Sequence, residues 1–227
     1  MFDAVIFDWD GTLANTKEIV VASFKRVLKD SPFRVADGFI ESRLGTSARE
    51  IFREILGTAK VGFEEETIKE LVEKRMQAEI EISGQVRLNE GAFDLLKALR
   101  GRVKLALATM NNKPVIDYLL EACGVSEFFD VVLSADEVIK PKPDPEIFLK
   151  CASRLGVFPE KCVVVEDSLF GLRAAKAARM TCIAALTGSF PREALEAEHP
   201  DLIVGSLSDK EAILKLVFGK SGQSSER

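Results

Sequence analysis

Histidine occurs once in 227 residues, as His199. Imidazole-based metal sites and Ser–His or Cys–His nucleophile machinery would all have to run through it. It stands in Glu198-His199-Pro200-Asp201, a polar turn-like stretch with no nucleophile beside it, and reads as a surface loop residue. Cysteine is scarce too. Cys123, Cys151, Cys162 and Cys182 form no Cys-x-x-Cys pair and fall in apolar segments. Free buried thiols in a reducing compartment fit them better than a disulfide framework or a zinc site. Positive charge is not in excess: 31 Lys+Arg oppose 36 Asp+Glu, a net −5, with no basic tail. That balance argues against bulk nucleic-acid binding. No stretch approaches the roughly 18 uninterrupted apolar residues of a membrane helix. Asp3, Asp8 and Asp10 break the N-terminal apolar run that a signal peptide would need. The expectation is a soluble, cytoplasmic protein, monomer or homodimer, bound to neither nucleic acid nor membrane. Its chemistry must use carboxylates, hydroxyls and lysines.

The composition present is that of an ordinary globular protein, 47% hydrophobic and 30% charged, long enough for one domain with a modest insertion. Ala4-Val5-Ile6-Phe7 is a short apolar run stopped by Asp8-Trp9-Asp10-Gly11-Thr12, the pattern of a buried strand. From Asn15 to Ser83 the period is helical: Ile19, Val20, Phe24, Val27 and Leu28, then Ile51, Phe52, Ile55 and Leu56, then Ile68, Leu71, Val72, Met76 and Ile80. Ser47-Ala48-Arg49-Glu50 has the Ser-x-x-Glu form of a capping box before the second set. Glu64, Glu65 and Glu66 sit in the first turn of the third, where the helix dipole favours them.

After Asn89, short apolar runs alternate with helical segments: Val103–Ala108, Val131–Leu133, Cys162–Val165, Thr181–Ala184 and Leu202–Val204. Such runs separated by helices predict an α/β fold, a doubly wound parallel sheet covered on both faces. The expected organisation is an α/β core from residues 1–14 and 84–219, an all-helical insertion over 15–83, and a flexible tail at 220–227.

Ligands of doubly wound sheets bind beyond the carboxyl ends of the strands. Asp8 and Asp10 stand just past the first strand, Thr109 past the second, Lys140 in the loop after Leu133, and Glu166-Asp167 past the fourth. Two like charges about 4 Å apart repel by about 4 kcal/mol at an effective dielectric near 20. Four carboxylates with one lysine are therefore unbalanced unless they take up protons or a cation. Oxygen ligands without imidazole select a hard cation, Mg²⁺ first. Metal, ammonium and hydroxyl together suit the three oxygens of a phosphoryl group. Asp8 and Asp10, at i and i+2 of an extended chain, point the same way, so one can act as nucleophile while the other moves protons. Gly11 lets the backbone turn and offer N–H groups to an anion. Taken singly, Asp-x-Asp-Gly-Thr is also a turn, Glu166-Asp167-Ser168 a helix cap, and Lys140-Pro141-Lys142-Pro143-Asp144-Pro145 a rigid helix entry. Their conjunction, in order and each at a strand end, points to a site.

These residues resemble the four motifs of the haloacid dehalogenase superfamily. Asp8-Trp9-Asp10-Gly11-Thr12 resembles the first and Thr109 the second. Lys140 in Lys-Pro-Lys-Pro-Asp resembles the third and Glu166-Asp167 the fourth. The helical insertion resembles the cap of the phosphoglycolate phosphatase and β-phosphoglucomutase branch. The resemblance implies a Mg²⁺-dependent phosphatase acting on a small phosphorylated metabolite. Asp8 would form an aspartyl-phosphate, Asp10 would be the general acid and base, and Thr109 and Lys140 would hold the phosphoryl oxygens. Mg²⁺ would be held by Asp8, the Asp10 backbone carbonyl, Asp167 and, directly or through water, Glu166. Lys140 is preferred to Lys142 because the family's lysine comes first in its string. Trp9, Gly11, Thr12, Met110 and Asn111 would surround the phosphate, and Arg43 and Arg49 would reach the leaving group.

The sequence departs from the family at Asn15, Trp9 and Val20. Val20 stands near the place where the branch's sugar-phosphate mutases carry a histidine. That weighs against a phosphomutase, the alternative reading. A receiver-like signalling module, with its phospho-acceptor on a later strand, is disfavoured because that strand ends in Thr109.

Overall fold

The computed structural model describes residues 1–29, 31, 35–58 and 64–219, so the expected tail at 220–227 lies outside the described residues. Six short strands form one sheet: β1 (Ala4–Phe7), β2 (Lys104–Ala108), β3 (Val131–Leu133), β4 (Cys162–Glu166), β5 (Thr181–Ala185) and β6 (Leu202–Val204). All neighbours are parallel, in the order β3-β2-β1-β4-β5-β6. The chain leaves β1 toward β2 on one side and returns to β4 on the other, so the order reverses at β1. That reversal opens a crevice at the carboxyl edge.

Period-two alternation explains the two cores. Val5 and Phe7 face one side with Leu105, Leu107, Val163 and Val165. Ala4 and Ile6 face the other with Ala106, Cys162 and Val164. The ten α-helices among the described residues begin with α1 (Lys17–Leu28), α2 (Asp37–Glu41), α3 (Ala48–Thr58) and α4 (Glu65–Ile82), all between β1 and β2. The other six are α5 (Ala92–Leu99), α6 (Lys113–Ala122), α7 (Glu146–Leu155), α8 (Leu169–Ala177), α9 (Arg192–Glu196) and α10 (Lys210–Phe218). Apolar residues of α5, α6 and α10 cover the first face, and those of α7, α8 and α9 the second. No helix among the described residues is long and apolar enough to cross a membrane.

Helices α1 to α4 close on their own apolar cluster, with Phe24 of α1 and Phe52 of α3 at 4.9 Å between ring centroids. The start of α3 follows the Ser47 signal, since the Ser47 hydroxyl accepts the Glu50 N–H at 3.3 Å. The Glu50 side chain, however, turns to Arg53. Helix α2 has five residues, too few for a period to be read. Just ahead of helix α7, whose N-cap is Pro145, the Asp144 Oδ1 accepts the Glu146 N–H at 3.0 Å and turns the chain into the helix.

Register then builds the site. Phe7 pairs with Leu107 and with Val165, so the residue after β1, Asp8, is level with Ala108 and Glu166. Where the chain passes between sheet and helices, Asn89 Nδ2 donates to the Gly11 and Thr12 carbonyls, each at 2.9 Å.

Candidate active site

Asp8 is buried at the end of β1, its Oδ1 accepting a hydrogen bond from Lys142 Nζ at 2.7 Å. The same ammonium donates to Glu166 Oε1 at 2.6 Å and to the Ala108 carbonyl at 2.9 Å. Three acceptors use the three donors of the group. Lys142 is fully buried, which a lysine tolerates only when paired. Burial works against its charge, but Asp8 and Glu166 outweigh it and hold the ammonium above its ordinary value. Burial pushes the Asp8 carboxyl up to about 8, against the pull of Lys142.

The expectation for Lys140 is corrected here. Its side chain is 72% exposed and its nearest carboxylate is Asp144, at 3.8 Å. Its backbone N–H donates to Glu146 Oε2, which fixes this stretch on the outer side of the loop. The chain then turns inward at Pro141-Lys142, so the second lysine of the string reaches beneath β1. Residue order within a proline-rich loop does not reveal which lysine points inward.

Asp8, Glu166 and Asp167 offer carboxylate oxygens that all lie within 4.8 Å of one another, each residue buried. One lysine against three carboxylates leaves an excess of negative charge, and the donors are all oxygen, which fits a hard divalent cation. Burial, reinforced by the charges of Glu166 and Asp8, holds the Asp167 carboxyl well above the usual range. Lys142 takes one oxygen of Asp8, and Thr12 Oγ1 donates to one of Asp167 at 2.9 Å. Each carboxylate thus has a second oxygen to offer. Glu166 differs, because its Oε2 accepts from the Asp167 and Ser168 N–H groups and the Ser168 hydroxyl while Oε1 takes Lys142. It fits as the anchor of the lysine better than as a direct metal ligand. The backbone crowds Asp167. A Cβ on Gly11 (φ +82°) or on Gly188 would fall 2.3 or 1.7 Å from its Oδ2, so only glycine fits either place.

Asp10 is less buried and faces different partners. Its Oδ1 accepts from Thr16 Oγ1 at 2.7 Å and its Oδ2 from Asn111 Nδ2 at 2.8 Å. Burial raises its carboxyl above the usual value, with Thr16 and Arg75 opposing. Thr109 is fully buried, and its Oγ1 accepts the Asn111 N–H at 3.0 Å. Asp8, Asp10, Met110 and Asn111 line a small space, about 30 Å³, closed on the far side by Val20, Phe24 and Arg75 of the helical insertion. That is room for about one water molecule. A larger cleft of about 570 Å³ adjoins it, lined by Arg49, Arg53, Met76, Asn112 and Pro141 among others.

Three further expectations are revised. Trp9 is fully buried and packs in the apolar core with Phe7 and Leu13, so its indole lines no phosphate pocket. Thr12 spends its hydroxyl on Asp167. Arg43 donates to Glu54 at 2.7 Å over the Phe39 ring, and Arg49 donates to Glu65 at 3.0 Å. Neither lines the space next to Asp8 and Asp10; Arg75 of α4 does. Arg75 stacks on Phe24 with 4.8 Å to the centroid and donates through Nε to Ser23 Oγ at 3.2 Å. Its terminal nitrogens lie 3.4 Å from Asn111 Oδ1. Its Nη2 is 2.5 Å from Glu79, which is fully buried. Burial raises the Glu79 carboxyl to about 7 against the pull of Arg75. Sequence alone gives no sign of this pair, because Arg and Glu at i, i+4 are the usual mark of a solvated helix face.

Comparison with known proteins adds the context. The family model described as haloacid dehalogenase-like hydrolase matches residues 5–185. A "Probable phosphatase IndB" of Dickeya dadantii is 34% identical over 223 residues, 93% of this chain and 95% of that protein. A "Phosphorylated carbohydrates phosphatase" of Thermotoga maritima is 33% identical over 180 residues, 78% of this chain and 81% of that one. The crystal structure of a β-phosphoglucomutase from Clostridium difficile superposes with a TM-score of 0.83 at 28% identity, covering 95% of this chain and 96% of that one.

Proposed function

The chain belongs to the haloacid dehalogenase-like hydrolase family and is a phosphoric monoester hydrolase; from that premise we propose a Mg²⁺-dependent phosphatase that acts on a small phosphorylated metabolite through an aspartyl-phosphate. The observation that carries the reading is the buried Asp8–Lys142–Glu166 chain. Lys142 fixes one oxygen of Asp8 and favours its ionised form against the effect of burial, leaving the other oxygen to attack phosphorus. Asp8 displaces the alcohol, and Asp10, whose raised carboxyl can carry a proton, donates it to the leaving oxygen. Asp10 then takes a proton from the water that attacks the phosphoryl group, and Asp8 is regenerated. Thr109 takes a phosphoryl oxygen, Lys142 spends its three donors holding Asp8, Glu166 and the Ala108 carbonyl, and Asn111 holds Asp10 in line. Asp8 and Asp167, with the Asp10 backbone carbonyl, are the residues we assign to Mg²⁺. When bound, the metal supplies positive charge to the phosphoryl oxygens.

Residues 15–83 serve in this reading as a cap over a core of 1–14 and 84–219. Their closure leaves room for little beyond a water at Asp10, which suits a step that must exclude bulk solvent and readmit one molecule. A phosphomutase is the weaker reading. Val20, an apolar residue, faces Asp10 across the small space, and no imidazole is there to time the proton transfer. The test is a phosphate-release screen over small phosphate esters with Mg²⁺, with Asp10→Asn as the control. The proposal expects chelator-sensitive release that the variant loses by roughly 10²–10⁴-fold on alkyl phosphates. Undiminished release by Asp10→Asn rejects the proton-transfer role. Bisphosphate-dependent turnover with little free phosphate would select the mutase.

A further inference from the structure

We propose that Glu79 is a specificity-determining residue: by neutralising Arg75 at the leaving-group side of the site, it selects phosphate esters with an uncharged, hydroxylated leaving group and rejects those carrying a second phosphate or carboxylate. The inference rests on the phosphatase reading and deepens it to a substrate class.

Among the residues lining the small space beside Asp8 and Asp10, Arg75 is the one cation. An unpaired buried arginine there would be a ready fork for a second anionic group. Instead its charge is matched at 2.5 Å by the fully buried Glu79, one helical turn along α4. Its remaining donors point at Ser23 Oγ and Asn111 Oδ1. A second anion would have to displace Glu79 and strand that carboxylate in a dry interior, which is costly. Among the described residues, the other arginines of the same lobe are also matched: Arg26 with Glu81, Arg43 with Glu54, Arg49 with Glu65, and Arg53 with Glu50 and Glu65. Hydroxyl groups meet no such obstacle. Neither Glu79 oxygen has a hydrogen-bond partner beyond the 2.5 Å ion contact with Arg75, and a neutral hydroxyl leaves that pair in place. The rest of the wall, Val20, Phe24, Leu44, Ile51 and Met110, is apolar and would meet the carbon skeleton of an ester once the helical lobe opens to admit it.

A matched substrate pair tests this. Glycerol 3-phosphate and 3-phosphoglycerate differ by a hydroxymethyl group against a carboxylate. Phosphate release at pH 8 with Mg²⁺ should give wild-type kcat/KM at least tenfold higher for glycerol 3-phosphate. Glu79→Gln should cut that ratio at least tenfold, chiefly through a lower KM for 3-phosphoglycerate, whereas Glu79→Asp, which keeps the charge, should hold it within about threefold. If Glu79→Gln fails to fold, the wild-type ratio and the Glu79→Asp ratio decide. A wild-type preference for 3-phosphoglycerate, or a ratio indifferent to Glu79→Gln, overturns the inference while leaving the phosphatase reading intact. So does hydrolysis of p-nitrophenyl phosphate without turnover of either member of the pair. Absence of release from all three esters overturns both.

Discussion

Lys142 Nζ and Asp8 Oδ1 meet at 2.7 Å although 134 residues separate them in the chain. The contact exists because parallel register brings Ala108 and Glu166 level with Asp8 and leaves one opening beneath them, which the lysine fills. Truncating one partner of a buried ion pair typically costs about 3–5 kcal/mol, since the other charge is left without compensation. Lys142→Ala is expected to lose that order of stability in urea melts and to lower phosphate release by roughly 10²–10³-fold, as for the loss of one preorganised charge. Lys140→Ala, altering an exposed side chain, is expected to stay near wild type in both. The reverse pattern would restore Lys140 to the site.

The acidic cluster sets a pH dependence of stability. The Asp8 carboxyl rises on folding from about 3.8 to about 8, so the folded protein binds more protons than the unfolded chain between those values. Stability from this group is fully present below pH 4 and is lost as pH rises through about 8. In chelator, thermal melts should therefore fall between pH 6 and pH 9. Adding Mg²⁺ should raise the melting temperature more at pH 9 than at pH 6, because metal and proton compete for the same oxygens. A larger Mg²⁺ shift at pH 6 would argue that the metal does not bind this cluster.

Burial raises the thiols of Cys151, Cys162 and Cys182 to about 12, 11 and 11 respectively. Thiolate is the reactive form, so all three should resist an aromatic disulfide reagent at pH 8 in the native protein. Cys123, partly exposed, should react first, and denaturant should release all four. Rapid reaction of more than one native thiol would contradict the buried placement.

The sheet was legible because its strands are short apolar runs, β1 and β4 at its centre buried at every position, a pattern that needs no partner to be recognised. Asp8, Asp10, Thr109, Glu166 and Asp167 were legible because strand ends converge whatever the loops do. Lys142, Arg75 and Glu79 were not. Each is a charged side chain buried by partners from distant segments, and charge in a sequence otherwise signals solvent. Arg75 and Glu79 in particular keep the helical period of a surface pair. Trp9 failed for the converse reason: beside two catalytic candidates it read as a site residue, whereas the chain turn after β1 sends its ring into the core.

The central claim, that Asp8 carries the phosphoryl group, can be read directly. Enzyme turning over p-nitrophenyl phosphate with Mg²⁺ is quenched in acid, reduced with borohydride and mapped by peptide mass spectrometry. An acyl phosphate at Asp8 is converted to homoserine. The account expects that conversion at Asp8 alone, absent without substrate. Conversion at Asp10 or Asp167 instead, or phosphate release with no converted carboxylate, would contradict it.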